Sequence, residues 1–447
     1  MLARSELDVR VLITCAACTL GMGLLIGIAP AILATRVDPD GVLRAGAAAR
    51  GMRSAARTRQ ALVVMELAVA MMLVVGASLM AASLWRLARI DLGFQPENVL
   101  TFRLQPSSGQ VSDPTQADSY FRHITARLAA VPGVVSVGAV QHLPLSGFNW
   151  SGNLDIESKP MPATVAHPRV TWRSVTGDYF GAMRIPLLRG REFTTADRRD
   201  APPVVIINDA MARQFWPAAD PLGQRIKLGN GTRNEWATVV GIVGDVRFNS
   251  PDTPPAPEAY RPNAQQALAF MHYVVRSRRS PLAFVPEIRT AVRSLDSTVP
   301  IAEVRALDEL VASSVKTRRS VALLLSSFAA LGLVLGAVGI YGVISFGVSQ
   351  RTREIGIRSA LGARRRAILG AILGEGVRLA ATGTALGAIG ALIGTRSLRS
   401  LVYGVGTAEP AVYAFVAGVL GIVAIAATLI PARRAARIDP VIALRGE

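Results

Sequence analysis

Apolar residues gather into five long runs, roughly 11–33, 61–85, 320–349, 367–396 and 410–431. Each is long enough, at about 1.5 Å per residue, to cross a hydrocarbon core of about 30 Å as a helix. No charge interrupts 321–348 or 379–395, and lipid tolerates such a segment only when its backbone groups are satisfied internally. Residues 86–319 keep a different rhythm. NVLTFRL (98–104) alternates with period two and predicts a strand; 114–131 sets Tyr120, Phe121, Ile124 and Leu128 at helical spacing; GVVSVGAV (133–140) reads as a buried strand. Together they form a βαβ-type unit. A matching pattern returns at 270–305, where MHYVVRS reads as a strand, PLAFVPEIRTAVRSLD as a helix and IAEVRAL as a strand. Between them, 141–265 is rich in Pro and Gly and carries short apolar runs such as VVIIN (204–208) and ATVVGIVGDV (237–246), which predicts a mostly β insertion. The expected fold class is an α-helical membrane protein with five spans and one large α+β domain, made of an α/β lobe and an inserted β-rich lobe.

The polar positions orient this pattern. With 51% hydrophobic residues, a mean hydropathy of +0.36 and a formal net charge of +18, the chain is neither disordered nor an ordinary soluble enzyme. The charge divides into +3 over 1–85, +7 over 86–319 and +8 over 320–447. Short Arg-rich loops are retained on the cytoplasmic side. By that rule 34–60, with six arginines against Asp38 and Asp40, lies inside, as does the tail with Arg433, Arg434, Arg437 and Arg445. The turn 397–409, with little beyond Arg399 and Glu409, lies outside, and 86–319 shares that side. The layout is N-out and C-in. The basic excess beside apolar spans suits anionic lipid headgroups. No basic patch is interleaved with aromatics, which argues against nucleic acid as a partner.

The connector between the third and fourth runs concentrates the chemistry. Arg351, Arg353, Arg358, Arg364, Arg365 and Arg366 stand there against one acid, Glu354. Ile355, Ile357 and Leu361 add apolar surface, Gly356 and Ala363 add small positions, and Gly362 can end a short helix. Guanidinium groups are suited to carboxylates on a partner, although charged loops at membrane ends also serve only to anchor topology. Gly332 with Gly336, Gly383 with Gly387, and Gly390 with Gly394 each form G-x-x-x-G, the spacing that lets membrane helices approach closely. They suit pairing with a second copy or with another module of the same protein equally well.

Other chemistries are thinly represented. The three lysines, Lys159, Lys227 and Lys316, lie outside any G-x-x-x-x-G-K-[ST] loop, so the chain lacks the phosphate cradle of a P-loop ATPase. His123, His142, His167 and His272 are scattered, without metal-ligand spacing, and no G-x-S-x-G elbow occurs. Cys15 and Cys18 lie within the first apolar run, where small apolar packing is expected of them. Glu66 and Glu375 sit near the inner ends of their spans; intramembrane acids are costly, but both can reach the interface or pair locally, Arg378 lying one turn from Glu375.

One repeat bears on organisation. PAILATRVDPDGVLR (Pro30 to Arg44) and PARRAARIDPVIALR (Pro431 to Arg445) align at a constant offset, each directly after an apolar run. The first span thus reads as a copy of the last, the closing helix of a preceding module in a duplicated protein. The expected domains are 1–34 (that helix), 35–60 (cytoplasmic linker), 61–90 (transmembrane and stalk helix), 91–310 (outer domain, insertion at about 141–265) and 311–447 (membrane domain with three spans).

DYFGAMRIPLLRGREF (178–193), VVIINDAMARQFWPAADPLGQRI (204–226), VVGIVGDVR (239–247), GIYGVISFGVSQRTREIGIRSALGA (339–363) and PARRAARIDPVIALRGE (431–447) together resemble the MacB/FtsX-type ABC transporter permease family, and its duplicated bacterial members in particular. The resemblance implies a periplasmic core domain on a stalk in the bacterial inner membrane. It also implies a dimeric membrane part and a separate cytoplasmic ATPase that supplies ATP-Mg, this chain holding no cofactor of its own. A periplasmic adaptor is among the implied partners. It further implies that Arg351–Ala363 contains the helix that seats on the ATPase. Three functions fit: export of small molecules, peptides or lipid-linked cargo, lipoprotein extraction, and non-transporting activation of envelope hydrolases. The size of the outer domain, over 200 residues in two lobes, resembles the MacB type more than the small outer loop of FtsX itself.

Overall fold

The computed structural model describes residues 45–106, 113–160, 162, 165–229, 235–266, 268–394 and 409–437. The expected first span at 11–33, its two cysteines, nearly all of the turn at 397–409 and most of the repeat at 30–44 and 431–445 lie outside these residues. The chain divides into two compact units, one covering Ala82–Val321 and the other the long helices on either side of it in sequence.

Among the described residues of the helical unit, four helices are long and apolar enough to cross a membrane: α1 (Ala45–Leu87), α8 (Lys316–Gln350), α10 (Arg365–Gly394) and α11 (Pro410–Ala435), the apolar part of α1 being Ala56–Leu87. Residues 45–60, expected as part of a linker, continue α1 without a break. Alanine-rich sequence without Pro explains this, since nothing in AGAAARGMRSAARTRQ stops a helix begun there. The six glycines of the G-x-x-x-G motifs all face α1. A Cβ on Gly336 would stand 3.0 Å from Leu67 Cδ2, one on Gly383 would stand 2.6 Å from Leu67 Cβ, and one on Gly387 would stand 2.6 Å from the Ala68 carbonyl oxygen. Gly332 approaches Ala70, while Gly390 and Gly394 approach Met72. Leu67, 1% exposed, thus reaches both α8 and α10. These glycines therefore serve contacts within the chain, where the sequence leaves their partner open. Thr428 of α11, buried, closes against Gly376 of α10.

The unit Ala82–Val321 is built on one continuous hydrogen-bonded sheet. Its α/β lobe contains β1 (Val99–Leu104), α2 (Pro114–Ala129), β2 (Val134–Val140), β10 (Met271–Ser277), α6 (Val285–Arg293) and β11 (Ile301–Ala306). Strand order is β11-β1-β10-β2, and the pairs β1–β10, β1–β11 and β10–β2 are all antiparallel. The two β-α-β segments are therefore not adjacent pairs but split ones, each accepting a strand of the other between its own two, as in ferredoxin-like sheets. Period-two alternation sends Leu100, Phe102, Leu104, Met271, Tyr273 and Val275 to the face covered by α2 and α6. There the Phe102 and Tyr273 rings stack at 5.4 Å, and the Tyr273 hydroxyl donates to the Phe121 carbonyl at 2.9 Å.

Between β2 and β10 the chain makes β3 (Ser151–Ile156), β4 (Arg169–Gly177), α3 (Tyr179–Met183), β5 (Leu187–Gly190), β6 (Val204–Asn208), α4 (Asp209–Phe215), β7 (Arg225–Leu228), β8 (Ala237–Val243), β9 (Glu258–Pro262) and α5 (Asn263–Gln266). Strands β4-β3-β7-β8-β6-β9 pair in that order, and β9 returns to pair β4, so six strands close on themselves. Closure removes the exposed edges that an open sheet would present. The ring encloses Leu154, Val170, Trp172, Val205, Ile207, Ile226, Leu228 and Val239. Strand β4 belongs to both lobes, pairing β3 near its start and β2 through Val175–Gly177 at its end. Its Arg173, 1% exposed, would be a costly buried charge alone. It is matched by Glu258, by Asn149 Oδ1 at 2.9 Å, and by the Tyr260 hydroxyl bonded to Glu258 at 2.7 Å.

Beside this pair, His142 is packed among Phe148, Trp150 and Phe270, with ring centroids 5.5–5.8 Å away. Burial, then the neighbouring His272 and Arg173, push its pKa from 6.5 down to about 4. His272, facing it at 6.1 Å, is lowered in the same direction, also chiefly by burial.

Two outcomes follow from these contacts. Gly387→Ala sets a methyl against the backbone of Ala68, which cannot yield, and is expected to cost about 1–3 kcal/mol. Gly342→Ala, with nothing within 4 Å, is expected to be neutral; thermal unfolding of the full chain in detergent separates the two. The second outcome concerns pH. Because the folded pKa of His142 is depressed, the unfolded chain takes up its proton first, so stability falls as pH drops from about 6.5 to about 4. His142→Phe should flatten that slope in unfolding curves of the Ala82–Val321 unit followed within the full chain.

Candidate coupling site

After α8 the chain turns at Arg351 and forms α9 (Thr352–Ala360), a nine-residue helix. The Thr352 hydroxyl bonds back to the Val348 and Ser349 carbonyls at 3.1 and 2.9 Å, occupying acceptors that the end of α8 leaves open. At its far end, Gly362 N–H donates to Ser359 O at 3.1 Å and Ala363 N–H to Arg358 O at 3.0 Å, with Gly362 at φ +87°. This is the Schellman arrangement, and a side chain at Gly362 would meet backbone strain rather than crowding. The helix length is thereby fixed at both ends.

Gly356 is the buried residue of α9. Arg353, Glu354, Ile357 and Arg358 are exposed and Ile355 is half-buried. Leu361 is 83% exposed, unusually open for a leucine, and Ile357 is 43% exposed. Arg364, Arg365 and Arg366 continue the exposed basic surface. Glu354 and Arg358 pair at 2.6 Å across one turn, a surface bridge contributing only about 0.3–0.5 kcal/mol. The surface is thus two exposed aliphatic side chains ringed by guanidinium groups, on a helix whose small Gly356 is turned inward.

Glu375 of α10 anchors this helix from behind. Its Oε2 lies 3.4 Å from the Arg351 guanidinium, and its Oε1 accepts from Gln60 Nε2 of α1 at 3.2 Å. The local pairing with Arg378 that the sequence allows is not formed among the described residues. Three elements therefore meet at one carboxylate. Nearby, the Arg59 guanidinium lies 4.1 Å over the Phe346 ring, a second tie between α1 and α8. Sequence reasoning missed Arg59 and Gln60 because it placed them in a linker; the uninterrupted Ala-rich run from 45 onward is the signal that could have found them. Glu66 lies against Gly339 of α8. Among the described residues no group of His, Cys, Asp and Glu is placed to hold a metal ion.

Comparison with known proteins now bears on the whole chain. The sequence model of the MacB-like periplasmic core domain matches residues 61–309, and that of the FtsX-like permease C-terminal domain matches 326–440. The chain belongs to the MacB/FtsX-type ABC permease family. Similar relatives include a probable export ATP-binding/permease protein MacB of Pseudomonas entomophila, 32% identical over 290 residues, covering 62% of this chain and 42% of that protein. Another is the pyoverdine export ATP-binding/permease protein PvdT of Pseudomonas syringae pv. tomato, 30% identical over 272 residues, covering 59% and 40%. The chain thus spans about two fifths of the length of these relatives. Among solved structures, the periplasmic region of MacB from Actinobacillus actinomycetemcomitans aligns with 51% of this chain and 97% of its own length, at 14% identity and a TM-score of 0.33. Family membership and the apolar helices make this MacB/FtsX-type permease a multi-pass membrane protein with a periplasmic domain.

Glu375→Ala removes the acceptor shared by Arg351 and Gln60. Amide hydrogen exchange across 351–361 in the full chain is expected to speed up, with a smaller change in Glu375→Gln.

Proposed function

We propose that this chain is the permease of an ABC export system in which a separate cytoplasmic ATPase, carrying ATP-Mg, seats on α9. Movement of that helix would pass along α1 and α8 to the periplasmic lobes, where small molecules, peptides or lipid-linked cargo are handled. A second permease copy or another permease half completes the membrane part, anionic lipids contact the basic ends of the spans, and a periplasmic adaptor receives the cargo. The observation that carries this reading is the helix Thr352–Ala360 itself: closed by a glycine cap at its far end, anchored by Gly356 and by the Glu375 carboxylate on Arg351, yet presenting Ile357 and Leu361 bare among arginines. An aliphatic pair left in water favours burial against a partner, and the surrounding guanidinium groups select an acidic rim.

No span carries a polar lining wide enough to suggest a tunnel, and the names of the relatives mention export, so mechanical transmission to a periplasmic site is favoured over passage between the spans. Lipoprotein extraction and FtsX-like activation of envelope hydrolases are the alternatives; the size of the domain matched at 61–309 argues against the second of these.

Leu361→Asp and Arg353→Glu should abolish co-purification of the ATPase while leaving the thermal transition of the permease unchanged, because both side chains are exposed. Retention of the ATPase by both variants would overturn the docking role of α9. Thiol labelling from outside the cell should reach cysteines placed at exposed positions between 150 and 300, and not one placed at Leu361.

A further inference from the structure

The outer end of α8 is covalently joined to the large domain at a weak point. Helix α7 (Leu307–Ser314) ends, Val315 sits at φ −106° and ψ 2°, outside helical geometry, and α8 begins at Lys316. A one-residue break between two helices fixes position and leaves their angle poorly determined. One turn further on, Arg318 Nη2 bonds to Asp252 Oδ2 at 2.6 Å, with both side chains largely buried. The Ser250 hydroxyl donates to the other oxygen of the same carboxylate. Burial pushes the Asp252 pKa up, but Ser250 and Arg318 outweigh it and hold the group below its ordinary value, so it is charged at neutral pH.

Asp252 belongs to the loop 244–257 between β8 and β9, two strands of the closed barrel. The same loop grips the segment that leaves α1. Arg247 N–H donates to Leu92 O at 3.0 Å and its Nε to Asp91 O at 3.2 Å, while its Nη1 bonds to Pro251 O at 3.2 Å and Thr253 O at 3.0 Å, stiffening the loop from within. Gly93, at φ +78°, lies so close to the Asp245 carbonyl that any Cβ would collide with it. Asp245 in turn takes Ala210 N–H and the Arg213 guanidinium, both at 2.7 Å. The segment that follows β2 joins too, through Leu145 N–H to Phe248 O at 2.7 Å.

We infer that the loop 244–257 is the joint at which both membrane-crossing helices are geared to the barrel lobe, with Arg318 and Asp252 as the positioning pair that sets the angle of α8 across the break at Val315. Helix α8 is about 52 Å long at 1.5 Å per residue and contains no Pro, so it can carry displacement from Arg351 to Arg318 without bending. With the pair intact, tilting α8 drags the loop and the strands on either side of it. Without the pair, α8 swivels at Val315 and the barrel stays behind. The purpose of this gearing rests on the transmission reading above; its existence does not, and the test is run without any ATPase.

The experiment uses the full chain in nanodiscs, with Cys15 and Cys18 replaced by alanine and spin labels on cysteines introduced at Ala218 of the barrel lobe and Ser320 of α8. The intact pair should give one narrow distance distribution by double electron–electron resonance. Arg318→Ala should widen it about twofold, as a swivelling joint requires. The shape-preserving Asp252→Asn should widen it as well, and the exchange Asp252→Arg with Arg318→Asp should narrow it relative to Arg318→Ala. A purely structural bridge would shift the thermal transition and leave the width unchanged. Narrow distributions in both Arg318→Ala and Asp252→Asn would overturn the inference. Failure of the ATPase to bind α9 would leave it standing, just as loss of the gearing would leave the docking role standing.

Discussion

In hydrocarbon no hydrophobic force presses one helix against another, so the membrane part coheres only where backbones come close enough for dispersion to accumulate. In this permease that closeness is obtained around Leu67. Gly336 and Gly383 leave room for its side chain on two different helices, and Gly387 lets the Ala68 backbone lie directly against α10. A Cβ at Gly383 or Gly387 would push α1 away and with it Gln60, whose bond to Glu375 is part of the anchor behind α9. The exposed surface of α9 therefore depends on small residues several turns away from it.

The large domain solves a different problem, that of burying charge in a protein with many arginines. Arg173 is neutralised by Glu258, and the Arg276 guanidinium donates to the carbonyls of Ala182, Glu97 and Gln95 at 2.6–2.9 Å, stitching the segment that follows α1 to β10. Arg191 and Asp197 make a two-pronged pair at 2.8 and 2.9 Å that holds the turn after β5. Arg173 and Arg276 thus cross between segments far apart in sequence, whereas the Arg191 pair acts locally. Strand β4 adds to this by serving the ring and the open sheet at once, so that the two lobes are parts of one hydrogen-bonded surface.

Much of this was legible in the chain. The apolar runs NVLTFRL and MHYVVRS mark β1 and β10 to within a residue, although the folded strands are buried on both faces. The Arg-rich connector and Gly362 mark the site and end of α9, since a left-handed cap favours glycine. Less legible was which strands become neighbours: βαβ spacing suggested adjacent pairs, whereas each pair opens to admit a strand more than 130 residues away in sequence. The extent of α1 was also missed, because the arginines within 45–60 read as loop charge although nothing there breaks a helix.

Sequence alone determined where the chain can cross lipid, which segments alternate as strands, and that a basic surface helix lies between two spans. Those properties follow from local periodicity and charge, which each segment carries by itself. Tertiary structure alone decided that the G-x-x-x-G glycines serve α1, that Glu375 binds Arg351 and Gln60 instead of Arg378, and that Arg318 reaches Asp252. Side chains of these kinds can pair with any neighbour of complementary shape or charge, and only the folded path of the backbone chooses which neighbour is near.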